Sequence, residues 1–140
     1  MNTARRAGFY LNWAHGRVSR SRLAAAEAHL AGLPAGPFRI IVAHHPFQAP
    51  LLKPGAKLVG NAEPALAAFA RLKVGLVLTG HLHLGDVRPV RDGGLVLAQA
   101  GSATSTRLRG TPNAYNRILV EDGRAKVTPR VWHGDGWRDL

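Results

Sequence analysis

Residues 74–83 read Val74-Gly75-Leu76-Val77-Leu78-Thr79-Gly80-His81-Leu82-His83. A short apolar run stops on a glycine and two histidines. Upstream, Phe38-Arg39-Ile40-Ile41-Val42-Ala43-His44-His45-Pro46 behaves the same way. Both runs are more nearly continuous than alternating, as expected for strands covered on both faces. Between them lies a loop, 47–60, and then a helical segment. Asn61 is placed to cap that helix, Glu63 and Pro64 fall in its first turn, and Leu66, Phe69 and Leu72 form its apolar stripe. Strand, helix, strand is the unit that makes two parallel neighbours. The carboxyl ends of parallel strands share one edge, where ligands bind in open α/β sheets. His44, His81 and His83 are therefore expected to converge, although far apart in sequence. Gly80 is expected to give the sharp turn just before the second pair.

Working outward, Ser19 or Ser21 can cap an earlier helix in which Leu23, Ala26, Leu30 and Leu33 recur at helical spacing. Gly32, Pro34, Gly36 and Pro37 end it. The stretch Gly8–Val18, with Trp13, reads as an entry strand or loop packing on the core. After His83 the pattern changes to strands alone. Val87–Val90 and Leu95–Gln99, joined through Arg91-Asp92-Gly93-Gly94, read as a hairpin. Ile118–Val120 and Lys126–Val131, joined by Asp122-Gly123, read as a second. Ser102, Thr104, Ser105, Thr106 and Arg107 lie in a polar loop, and His133–Leu140 is a polar tail carrying Trp137. Nothing divides the 140 residues into two domains.

Composition excludes several classes. With no cysteine there is no disulfide scaffold, thiol nucleophile or thiolate metal site. No apolar run approaches the ~20 residues that cross a bilayer, and the basic start lacks an apolar leader core, so a cytoplasmic protein without a membrane partner is expected. Nineteen Lys and Arg against eight Asp and Glu give a net charge of +11. The arginines are spread along the whole chain, form no block and do not alternate with aromatics. That distribution reads as a solvated basic surface rather than a nucleic-acid face.

Imidazoles meeting at a sheet edge suit a divalent transition metal: manganese, iron, zinc, cobalt or nickel. In His81-Leu82-His83 the two rings need not reach the same ion. Two readings stand on the residues alone: a basic module binding nucleic acid or an acidic protein, and a mononuclear zinc site on His44, His81 and His83 with a fourth position open.

At these residues the chain resembles the calcineurin-like metallophosphoesterase superfamily. Val42-Ala43-His44-His45-Pro46-Phe47 is similar to its His-x-Pro segment, and Leu78-Thr79-Gly80-His81-Leu82-His83 to its Gly-His-x-His segment. Gln99–Ser105 and Asn113–Ile118 resemble the passages that follow, so the likeness runs from about Trp13 to Trp132. The resemblance implies an α/β fold, part of a four-layer α/β/β/α sandwich, with two parallel strands and their helices followed by antiparallel hairpins. It implies hydrolysis of phosphomonoesters or phosphodiesters at two divalent ions about 3.5–4 Å apart that clamp the phosphate and activate a water. By motif position His44 and His81 would bind one ion and His83 the other; His45, beside His44, would either back a ligand or face the substrate.

The family's Asp-x-His, Gly-Asp-x-x-Asp and Gly-Asn-His-Asp/Glu motifs do not occur. Every Asp lies at Asp86 or later. Three neutral imidazoles offset none of the four charges of two divalent cations, and bridging oxygen ligands are needed. Glu63 and Asp86 are the nearest carboxylates in sequence. The expectation is that residues 1–140 form a single, partial phosphoesterase domain, the C-terminal half of such an enzyme, incomplete or inactive as an isolated chain, with the other ligands in an N-terminal segment of the same protein or of a separate polypeptide.

Overall fold

A computed structural model of the chain describes residues 1–4, 15–90, 94–106, 108 and 110–140. Most of the Gly8–Val18 stretch with Trp13, the turn residues Arg91–Gly93, and Arg107 lie outside the described residues.

Among the described residues two helices and seven strands follow in the order α1 (Arg20–Ala31), β1 (Arg39–Val42), α2 (Ala62–Arg71), β2 (Val74–Thr79), β3 (Asp86–Val90), β4 (Leu95–Gln99), β5 (Ala114–Glu121), β6 (Arg124–Trp132) and β7 (Trp137–Asp139). The first sheet has the order β1-β2-β4-β3 and the second β5-β6-β7. β1 pairs parallel with β2, and β2 parallel with β4; β3 returns antiparallel to β4. The second sheet is wholly antiparallel. The molecule is thus mixed α/β, with a parallel-strand sheet and an antiparallel sheet, the class expected.

Local chemistry explains most of the elements. Ser19, extended at φ −68 and ψ 157, accepts the Arg22 amide at 3.2 Å and starts α1. The carbonyls past both helix ends are drawn together by one side chain: the Arg39 guanidinium donates to Leu72 O at 2.6 Å and to Leu33 O at 3.3 Å. α2 lays Ala65 and Phe69, both fully buried, on the sheet against Val77, Leu95 and Leu97. Val77 and Leu97 are register partners on that face. Leu76 and Ala98 fall on the opposite face by strand alternation and are also buried, and β6 of the second sheet packs against β2. The described residues therefore build three layers, helices on sheet on sheet.

Four expectations are corrected. Among the described residues β1 is an edge strand whose burial alternates, with Ile40 and Val42 exposed at 42% and 58%; an apolar run alone does not say whether a second face finds a cover. Asn61 sits at the N-cap position of α2 without capping it. Its backbone is left-handed at φ 63, and Nδ2 donates to Val18 O at 2.8 Å, tying α2 to the chain ahead of α1. β4 lies between β2 and β3, so three strands rather than two run parallel. The polar tail contains a strand, β7, whose Trp137 stacks edge-on with Trp132 and Tyr115.

Candidate metal centre

The parallel ladder continues beyond the ends of β1 and β2. Ala43 N–H donates to Leu78 O at 2.9 Å, and Gly80 N–H donates to His44 O at 3.0 Å. The peptides carrying His44 and His81 are thus tied across the sheet edge by backbone hydrogen bonds. Three rings meet there. One nitrogen each of His44, His45 and His81 lies within 4.8 Å of the other two. His44 Nε2 and His81 Nδ1 are 3.1 Å apart, and the ring centroids are separated by 4.7–5.0 Å.

The three rings are held differently. His44 is exposed and His81 half-buried. His45 is 6% exposed. Its Nδ1 lies 2.8 Å from Thr3 Oγ1, and Thr3 is itself 1% exposed. Gly16 lies flat against the ring: a Cβ there would come within 2.2 Å of Nδ1 and 2.4 Å of Cγ. The glycine at that position is needed for close approach, not for a turn.

The sharp turn expected at Gly80 falls one residue later. His81 has φ 71, and Leu82 N–H donates to Gly80 O at 2.9 Å, closing a three-residue γ-turn around His81. Gly80 itself has no positive φ. His83 is left-handed too, at φ 60. A non-glycine residue in this region costs about 1–3 kcal/mol, and such strain concentrates at functional sites.

His83 is exposed, and its Nδ1 is bonded at 2.6 Å to Ser102 Oγ in the loop after β4. It is not in the group of three. The grouped donors are all imidazoles. Asp86 is engaged elsewhere: its carboxylate pairs with Arg88 at 2.8 Å and accepts the Leu51 amide at 3.2 Å. Glu63 stands in the first turn of α2. Thr3, Gly16 and Ser102 are contacts that the chain pattern does not announce. Thr3 and His45 are 42 residues apart, and no local signal links them.

Fold and cluster together define a mixed α/β protein with a three-histidine group able to hold a metal ion. No family model matches the chain, and no curated protein matches it. Among solved structures it is similar to Vps29 of Entamoeba histolytica. The wild-type protein complexed with zinc is 21% identical at a TM-score of 0.42, over 56% of this chain and 44% of that one. A single mutant of the same protein is 14% identical at a TM-score of 0.42, over 81% of this chain and 87% of that one. The chain spans less than half the length of the first of these. At these scores the similarity says nothing of what the chain binds or does.

Proposed function

We propose that the chain carries a metal-dependent phosphoesterase centre at the carboxyl edge of β1 and β2. The observation that supports it is the convergence of His44, His45 and His81 on one point of that edge. The donor set fits a divalent transition ion: neutral imidazole suits zinc, cobalt, nickel, iron and manganese, in contrast to the oxygen cages of calcium and magnesium. When bound, such an ion supplies Lewis acidity toward a phosphoryl oxygen and lowers the pKa of a water. The chain's own residues orient the site. The Gly80–His44 backbone bond holds the two strand-end peptides that carry His44 and His81 side by side, and Thr3 holds the His45 ring. His83, exposed and steadied by Ser102, is the donor available to a phosphate ester substrate.

With no carboxylate in the group, nothing neutralises a second cation or bridges two. Turnover by these 140 residues is therefore slow or nil, and carboxylates from a segment outside them would complete a dinuclear centre in this reading. The test is calorimetric titration of inorganic phosphate into the zinc- or manganese-loaded protein, alongside aryl phosphate mono- and diester assays. Phosphate binding that needs the metal and disappears in His81→Ala is expected. A loaded protein with no affinity for phosphate overturns the ester chemistry. Fast turnover lost in His81→Ala overturns the incompleteness.

A further inference from the structure

We infer that the metal site is a single-ion site made by His44, His45 and His81, with Thr3 positioning His45. The inference rests on the reading of the cluster as a metal centre, and goes beyond it in the ligand set, the stoichiometry and the positioning residue. The motif resemblance would put His83 where this arrangement puts His45.

Distances separate the two sets. Tetrahedral zinc with Zn–N of about 2.0–2.1 Å requires ligand nitrogens roughly 3.3–3.4 Å apart. His44 Nε2 and His81 Nδ1 are hydrogen-bonded at 3.1 Å, a few tenths of an ångström short of that spacing. His45 offers a nitrogen within 4.8 Å of both, and small ring rotations of the more exposed His44 and His81 close the remainder. His83 is outside the group, its Nδ1 committed to Ser102 at 2.6 Å.

The support around His45 has the form that a ligating imidazole needs. A metal-bound histidine has its second ring nitrogen held by a fixed polar partner, which sets tautomer and orientation. Thr3 does this from the buried side. Its hydroxyl lies 2.8 Å from Nδ1, and its branched side chain is stiff at χ1. With Nδ1 engaged, Nε2 is the nitrogen through which His45 ligates. Gly16 packs close to the same ring, with no room for a Cβ between them. One ligand is thus rigid and two can adjust. Three neutral ligands would leave the ion's full charge and a fourth position suited to an anionic oxygen.

The experiment is zinc and cobalt titration of the purified chain, read by bound-metal analysis, chelator competition and the visible absorption of cobalt. One ion per chain, with a four-coordinate cobalt spectrum, is expected. His45→Ala lowers affinity at least about 100-fold. Thr3→Val lowers it about 10- to 100-fold and Thr3→Ser restores it within a few-fold, the range for a positioning partner. His83→Ala changes it by less than about 3-fold, since His83 is no ligand in this set. Two ions per chain, or a loss in His83→Ala equal to that in His45→Ala, overturns the inference. So does an unchanged affinity in Thr3→Val. If circular dichroism shows His45→Ala unfolded, the wild-type stoichiometry and the Thr3 pair decide. One-ion binding without phosphate affinity removes the ester chemistry and leaves this site standing. Phosphate affinity with two ions does the reverse.

Discussion

At His81 and His83 the backbone takes the left-handed region, at φ 71 and 60, where glycine would be relaxed. The conformation holds because Gly80 is hydrogen-bonded to the neighbouring strand and Leu82 closes the turn. It predicts a trade. His81→Gly relieves about 1 kcal/mol of steric strain and removes a ligand. Thermal unfolding should stay level or rise by a few degrees, while zinc affinity measured by chelator competition collapses. Gly16→Ala should do harm on both counts. The new methyl would overlap the buried His45 ring, at a cost of about 1–3 kcal/mol. Urea denaturation should show the loss, and metal affinity should fall with it. Convergence of His44 with His81 was legible in the sequence, because each follows a strand of one parallel pair. The roles of Thr3 and Gly16 were not, since a buried contact across 42 residues leaves no periodic trace.

At the scale of elements, what is local was readable and what is non-local was not. Ser19 caps α1 as expected, and the Asp122-Gly123 turn joins β5 to β6 with φ 50 and 68, the two positive angles of a type I′ hairpin. Gly123→Ala should therefore destabilise the hairpin by about 1 kcal/mol in equilibrium unfolding. The parallel seat of β4 beside β2 depends on a pairing some twenty residues back, and no run of apolar residues encodes which neighbour a strand chooses. The same limit hid the edge position of β1. Its Ile40 and Val42 are exposed beside a row of backbone groups with no strand beyond them in the sheet among the described residues. Such an edge invites pairing with other chains. Ile40→Lys should slow aggregation in light scattering and shift stability by no more than about 0.5 kcal/mol.

Over the whole molecule the charges are lopsided but dispersed. Glu27, Asp86, Asp135 and Asp139 are taken by ion pairs with Arg71, Arg88, Arg117, Arg130 and Arg138, most of them on the surface. Surface pairs of this kind add little stability. The remaining Lys and Arg are spread along the sequence rather than grouped in it. Binding of duplex DNA, followed by fluorescence anisotropy, should be weak and vanish near about 150 mM salt; tight binding there would show an organised anion face instead. No helix among the described residues is long and apolar enough to cross a membrane.

The chain's first residues also touch the site. The Met1 ammonium donates to Val42 O, Arg22 reaches the carbonyls of Asn2 and Ala4, and Thr3 meets His45. Leu140, by contrast, is 87% exposed. A polyhistidine affinity tag fused ahead of Met1 would tether a rival chelator close in sequence to Thr3, which holds the His45 ring. Purification handles and fluorescent labels belong at the other terminus.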